Sequence, residues 1–459
     1  MKKGELLTIN IDKLAFGGKG IARVDNRVVF VEGGLPGDRA EVKIQKVKKK
    51  HIDARITDVI KPSPLRREAE CSHFGQCGGC KWQNLDYRHQ VQFKREQLLE
   101  SFRHLAGLTP EVIHQTTPSP LIFAYRNKME FSFTDNRWLV PEELADPRIK
   151  KDFALGLHVP GSYDRVMHIE KCWLQDDVMN RILNFSQNYF KQSGLPVFNL
   201  KTHEGLLRFL VLRKSFSHGE YMVNIVTFRP AESLLADYAN KLNSQFPEIT
   251  SIINTVNPRV AQIAFGEEEY VLSGQDHITE KMDEFTFEIS ANSFFQTNPL
   301  QAVHLYHTVQ KYAGRHNNLI WDLYSGTGTI AMFLAGNARK VKGFELVESA
   351  VMDARNNCAG NSIDNCEFIA GDIRDNISGT SDNPDIIVCD PPRSGMHEDI
   401  LKAIMNKRPQ KIVYVSCNPA TMARDIQQLT TVYQVAEIQP IDMFPHTYHI
   451  ESVARLELK

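Results

Sequence analysis

The residue with most chemistry in prospect is Cys417, in the run Tyr-Val-Ser-Cys-Asn-Pro-Ala-Thr at 414–421. It closes an apolar, strand-like run. Asn418, a good helix cap, and Pro419, suited to a first helical turn, follow at once. A thiol placed there meets the positive end of a helix dipole, which favours thiolate. An isolated cysteine is more often a small buried hydrophobe, and Cys358, Cys366 and Cys389 are read that way. Glu451 is the matching carboxylate, set between apolar residues at the start of a final strand, an odd position for a solvated acid. His446 and His449 are alternative bases nearby. A thiol nucleophile and a carboxylate base together can add to a ring carbon and then take a proton from its neighbour.

Further acids fall at strand ends. The run Asn-Leu-Ile-Trp-Asp-Leu-Tyr at 318–324 leads into Ser325-Gly326-Thr327-Gly328, where glycines let a ligand approach the backbone at a helix start. Glu345 ends the next strand, 19 residues after Gly326, the spacing expected of an acid that binds ribose hydroxyls. Asp372 and Asp390 end two more. The loop lacks the phosphate-binding lysine motif and does not match GxGxxG. Asp-Leu-Tyr-Ser-Gly-Thr-Gly-Thr resembles the cofactor loop of class I S-adenosylmethionine methyltransferases, which is preferred here to a nicotinamide site.

Cys71, Cys77 and Cys80 cluster tightly, and Cys172 is the one other cysteine outside the catalytic part. Such a set suits zinc or an iron–sulfur cluster. Disulfides are not expected in a cytoplasmic chain.

These residues need a scaffold. At 459 residues the chain exceeds one compact core, so several domains are expected. Residues 1–60 read as short strands parted by Gly17-Gly18, Gly33-Gly34 and Pro36-Gly37, a small OB-like barrel. Residues 61–290 read as an α+β domain rich in antiparallel strands, with an amphipathic helix over 87–105 carried by Val91, Phe93, Leu98, Leu99, Phe102 and Leu105. Arg126 and Lys128 lie among aromatics there. Residues 291–459 alternate strand and helix, the pattern of a doubly wound, Rossmann-like α/β sheet. Met1 to Arg67 carry 16 Lys and Arg against 8 Asp and Glu, while the whole chain has a net charge of -1. A basic module on an acidic body suits a polyanion partner. The start has two lysines but no apolar run, so no signal peptide is read, no membrane span is expected, and a cytoplasmic monomer is the expectation.

Two resemblances sharpen this reading. Phe16 to Ile44 resembles a TRAM domain, which implies RNA binding through the backbone. Ser-Cys-Asn-Pro-Ala-Thr, Asp-Pro-Pro-Arg-Ser-Gly at 390–395, Phe-Pro-His-Thr-Tyr-His-Ile-Glu-Ser at 444–452 and Ser-Phe-Phe-Gln-Thr-Asn at 293–298 together resemble the RNA 5-methyluridine methyltransferase family over nearly the whole chain. The resemblance implies Cys417 as nucleophile toward carbon 6 of uracil and Glu451 as the base at carbon 5. It puts Gln296, Tyr324, Thr329, Glu345, Asp372 and Asp390 at the S-adenosylmethionine site, with Asp390 and Gln296 also toward the uracil. Thr329 and Asp372 stand where some members have Asn. It further implies a [4Fe-4S] cluster on Cys71, Cys77, Cys80 and Cys172, in preference to zinc.

The barrel and cysteine set together resemble members acting on 23S rRNA. A transfer RNA uridine is the second expectation. An inactive RNA-binding assembly factor is disfavoured by the intact Cys417, Glu451 and glycine loop. A DNA cytosine methyltransferase would set its cysteine after proline. An amine methyltransferase would want an aromatic residue where Arg393 stands.

Overall fold

The computed structural model describes residues 1–107 and 110–459. Leu6 to Lys61 form a six-stranded sheet curled round Ala22, Val29, Val31, Val42 and Ile52, all fully buried. Lys48, Lys49 and Lys50 are exposed at the turn between strands Arg39–Val47 and His51–Lys61. Arg66 closes the module's exit: its Nε and Nη2 donate to the two carboxylate oxygens of buried Asp38, each at 2.7 Å.

A second sheet has seven strands drawn from Lys128 to Gly274. It is mostly antiparallel, with one parallel pair, Tyr221–Thr227 and Ile249–Val256. Helix Glu232–Gln245 connects that pair, as a parallel crossover requires. Helix Asp177–Ser193 buries Met179, Ile182, Leu183 and Phe190 into the same core.

The third sheet carries the candidate site. Its seven strands, counted along the chain from Asn317–Leu323, lie in the order third, second, first, fourth, fifth, seventh, sixth. The first five are parallel, and the last, Glu451–Leu458, slots antiparallel between Lys411–Ser416 and Tyr433–Ile441. Ligands sit beyond the carboxyl ends of parallel strands in such sheets. Glu345, Asp372, Asp390 and Cys417 all fall at or just past those ends.

Residues 61–290 contribute to more than one core. Ile278, Phe287 and Ile289 of the hairpin His277–Met282 and Phe285–Ser290 pack with Ala302 and Leu305 in the third sheet's core. Residues 113–117 bridge onto the edge strand Tyr433–Ile441, with His114 N–H donating to the Ile438 carbonyl and Thr117 N–H to that of Pro440, both at 2.9 Å. This covers an otherwise open sheet edge.

Helix Tyr87–Ser101 forms as its spacing predicts, continuing as a π-helical turn over Phe102–Ala106. Its buried face differs from the expectation. Leu98 and Phe102 do enter a core with Met422 and Ile426, but Gln90, Lys94 and Gln97 are buried as well. Apolar periodicity is blind to a polar face with buried partners. Gln97 Nε2 donates to the Ala15 carbonyl at 3.3 Å, while Gln90 and Lys94 reach residues 442–450, a strap linking the two C-terminal strands. Lys94 Nζ donates to Asp442 Oδ1 at 2.5 Å and to the Phe444 carbonyl at 2.9 Å, with both charged side chains fully buried.

A buried charge left without its partner costs about 3–5 kcal/mol. Lys94→Met is therefore expected to destabilise the fold by about that amount in chemical denaturation, and Lys94→Met with Asp442→Leu by clearly less. An equal or larger loss in the double variant would contradict an unpaired buried Asp442 charge as the source of the single variant's cost.

Candidate active site

Register brings the thiol and the carboxylate together. Strands Lys411–Ser416 and Glu451–Leu458 pair antiparallel with Ser416 opposite Ser452. Cys417 and Glu451 are the next residues past that pair, and they are close enough for the Glu451 charge to act on the thiol. Cys417 then turns into helix Pro419–Leu429, where the Asn418 side chain caps the Ala420 N–H at 3.1 Å.

The expected thiolate is not the resting state. Burial pushes the Cys417 thiol up to about 11, Glu451 adds to the rise, and the Arg393 guanidinium opposes it. At the helix start, desolvation outweighs the dipole. Glu451 is 7% exposed, and burial, reinforced by Asp390, raises it well above the usual carboxylate range. Burial holds His446 down at about 3 and His449 at about 4, so both rings are neutral and weakly basic.

Arg393 reaches Cys417 because its loop is pinned. Asn418 Nδ2 donates to the Arg393 carbonyl at 3.0 Å and Thr421 Oγ1 does so at 3.3 Å. Asp425, fully buried, accepts from Met396 N–H at 2.8 Å and from the Tyr414 hydroxyl at 2.7 Å. Gly395 has φ +79°, and a Cβ there would stand 2.6 Å from Asp425 Oδ2. Sequence reasoning treated Arg393 only as a missing aromatic and missed Asp425. An acid inside the amphipathic pattern of 419–429 was the available signal.

The glycine loop curls back sharply, with Tyr324 at φ +66°, Gly326 at +52° and Gly328 at +81°. A Cβ on Gly328 would meet Ala354 Cβ and Phe368 Cζ at 2.9 Å. Glu345 is tied down by Gly326 N–H at 3.0 Å and Val347 N–H at 2.9 Å. Thr329 opens the short helix Thr329–Leu334. Gln296 sits in the loop before helix Pro299–Ala313, and its carbonyl accepts from Asn127 Nδ2 at 3.1 Å. Asp372 caps helix Ile373–Gly379 and pairs with Arg374, which holds its carboxyl down at about 2.

Asp322 was missed altogether. It is fully buried in strand Asn317–Leu323, and among the described residues neither carboxylate oxygen has a well-formed hydrogen bond, the Ala331 N–H being the donor that approaches it. Burial, with Asp390 adding, raises it far above the usual range. Asp390 itself is pushed up to about 6 by burial. Asp322, Asp390 and Glu451 thus form a set of suppressed negative charges, with Asp390 common to both others. Buried carboxylates held towards their neutral forms fit a cationic ligand, and S-adenosylmethionine carries its charge on sulfonium. An acid within an otherwise apolar strand was the signal for Asp322.

The other four site cysteines line one cavity of about 590 Å³, with Arg126, Lys128 and Trp173 also on its wall. Among the described residues no three His, Cys, Asp or Glu side chains converge as a single-ion site. Burial pushes Cys77 up to about 11 and Cys80 to about 12, and the neighbouring thiols add to both shifts. Gly79 N–H points at Cys77 Sγ at 3.4 Å and Gln83 Nε2 at Cys80 Sγ at 3.3 Å. Thiols gathered round a roomy cavity, with donors aimed at sulfur, have the chemistry of either a zinc or an iron–sulfur ligand set.

Comparison with known proteins identifies the family. Residues 215–459 match the model of the tRNA (Uracil-5-)-methyltransferase family, and residues 1–57 that of the TRAM domain. A Bacteroides thetaiotaomicron protein named an uncharacterized RNA methyltransferase is 41% identical, over 97% of this chain and 100% of its own length. One from Caldanaerobacter subterraneus is 40% identical over the full length of both. The crystal structure of Pyrococcus abyssi tRNA (uracil-54, C5)-methyltransferase in complex with S-adenosyl-L-homocysteine superposes with a TM-score of 0.75 at 30% identity, covering 98% of this chain and 100% of that one.

With its thiol near 11, Cys417 is almost wholly protonated at pH 8. Its alkylation, followed by mass spectrometry of the peptide, is expected to quicken about tenfold per pH unit from 8 towards that value. Arg393→Gln removes the stabilising cation and should slow the reaction several-fold at pH 8. A rate independent of pH above 8, or unchanged in the variant, would contradict this electrostatic picture.

Proposed function

The chain belongs to the tRNA (uracil-5-)-methyltransferase family and is an RNA uracil-C5 methyltransferase, and from that premise we propose that it methylates a uridine of 23S rRNA through a transient bond between Cys417 and the base. The observation that carries the proposal is the placing of Cys417 beside Glu451, with Arg393 and Asp390 close to them.

Carbon 5 of uracil is too weak a nucleophile to take a methyl group unaided. Cys417 gives its S–H proton to solvent and its sulfur bonds to carbon 6, the carbon 5–carbon 6 π pair moves into the carbon 4 carbonyl, and carbon 5 becomes enolate-like. S-adenosylmethionine, when bound, supplies the electrophilic methyl group. Gln296, Tyr324, Thr329, Glu345, Asp372 and Asp390 hold it, and Asp322, buried and held towards its neutral form, is added to that set. Glu451, whose ionised form is favoured by the positive charge brought by the bound donor, then takes the proton from carbon 5. The freed pair restores the ring double bond as the carbon–sulfur bond breaks, and the electrons leave with Cys417 sulfur. Arg393 is the side chain that favours the ionised sulfur at both ends of the cycle.

The target base has to leave its stack to reach a half-buried thiol. Residues 1–60 grip the RNA backbone, residues 61–290 carry the cysteine site and residues 291–459 the chemistry, in a cytoplasmic monomer. Cys71, Cys77, Cys80 and Cys172 hold a [4Fe-4S] cluster in a structural capacity. The barrel together with this cysteine set supports ribosomal RNA. The full-length likeness to a tRNA (uracil-54, C5)-methyltransferase supports a second reading, a transfer RNA uridine.

Glu451→Gln is expected to stall after methyl transfer and to leave a protein–RNA adduct that survives denaturation. Wild-type turnover without an adduct would remove Glu451 from its role. Mass mapping of methylated uridines in RNA from cells with and without the protein identifies the substrate. Loss of one or more sites in 23S rRNA is expected, and loss confined to transfer RNA would replace the first reading with the second.

A further inference from the structure

His446 has features that the catalytic scheme leaves unused. It is fully buried, with φ +65°, a backbone conformation unfavourable for a residue with a side chain. Such strain persists only where surroundings over-determine it. Here the surroundings are the segments that bear the cysteines. The His446 carbonyl accepts two backbone hydrogen bonds, from Lys81 N–H at 2.8 Å and Trp82 N–H at 3.0 Å. These residues directly follow Cys80. On the other side the imidazole stacks on Phe123, with centroids 4.4 Å apart and planes at 23°. Phe123 packs against Trp173, which directly follows Cys172, at 5.6 Å. The Ala124 N–H donates to the Trp173 carbonyl at 2.8 Å.

His446 lies five residues before Glu451 on the 442–450 strap. Gln90 locks the same point: its Oε1 accepts the His446 N–H at 2.8 Å, and its Nε2 lies 3.1 Å from His446 Nδ1. The Tyr125 hydroxyl donates to the Pro445 carbonyl at 3.1 Å. Both cysteine-bearing segments therefore converge on one strained residue of the strap that leads into the base.

We propose that His446 is the joint through which the Cys71, Cys77, Cys80 and Cys172 site positions Glu451, so that releasing or oxidising those cysteines loosens the strap and takes Glu451 out of its place beside Cys417. This rests on the catalytic reading given above. His446 is a positioning residue here. A loosened strap spares the bond from Cys417 sulfur to carbon 6 and the methylation of carbon 5. It blocks removal of the carbon 5 proton, so the carbon–sulfur bond cannot break, and methylated RNA stays joined to the protein.

The test compares the full-length protein as purified, with its iron and sulfide measured, against the same protein stripped by chelator and mild oxidant. Amide hydrogen exchange over residues 442–450 is expected to quicken at least tenfold on stripping, while residues 39–47 of the barrel stay unchanged. Phe123→Ala cuts one tie without touching a cysteine and should quicken exchange at 442–450 with iron content intact. It keeps the test decisive if stripping unfolds the protein. Both samples, given RNA and methyl donor, should accumulate the denaturation-resistant adduct. Unchanged exchange at 442–450 in Phe123→Ala overturns the proposal. If Glu451→Gln traps an adduct while stripped and Phe123→Ala proteins trap none, the coupling fails and the catalytic reading stands. If Glu451→Gln traps none, the catalytic reading fails, and exchange alone decides whether the cysteine site holds the strap.

Discussion

The site depends on the register of two antiparallel strands, with Ser416 opposite Ser452. Side chains alternate across a sheet, so a slip of one residue would send Glu451 to the other face. The register is held from within the sheet: Val453, Ala454 and Leu456 of the inserted strand are fully buried, as are Ile412, Val413 and Tyr414 opposite. It is held from without by the strap. A strand that arrives antiparallel after five parallel ones needs a return connection, and residues 442–450 make it, fastened by Lys94, Gln90 and Tyr125. The geometry of the candidate site is thus a consequence of sheet order and of one polar helix face.

Electrostatics give the same site its readiness. Lys94 and Asp442 show how this fold treats a buried charge it means to keep, with a partner and further hydrogen bonds. Burial holds Asp322, Asp390 and Glu451 towards their neutral forms, with Arg393 only partly opposing it at Glu451. A cation entering among them lowers the cost of ionising all three. Such a set suits a positively charged ligand, and burial favours the thiol form of Cys417 beside it.

Much of this was legible in the sequence, and the reasons are local. Strands of the third sheet are short apolar runs ending in acids, so Glu345, Asp372 and Asp390 were found at their ends. Cys417 announced itself through Asn418 and Pro419. What escaped were residues whose meaning lies in a distant partner. Lys94 reads as a surface lysine until Asp442, 348 positions away, is beside it. Asp425 reads as one polar turn of an amphipathic helix until the Arg393 loop lies against it. Asp322 is one letter in an apolar strand, and its burial near Asp390 exists only in three dimensions. The thiolate expected at Cys417 failed because sequence exposes the helix start but not the depth of burial. The packing of residues 113–117 and 277–290 against the third sheet was hidden for the same reason, since contiguity along the chain does not report which core a segment joins.

The account stands on sulfur at position 417 bonding to the pyrimidine. Single-turnover methyl transfer to substrate RNA by Cys417→Ala, measured with isotopically labelled methyl donor at saturating enzyme, tests it most directly. No labelled methyl above background on uracil carbon 5 is predicted, while donor binding by the variant stays within about threefold of wild type. Transfer to carbon 5 at the wild-type rate would contradict it.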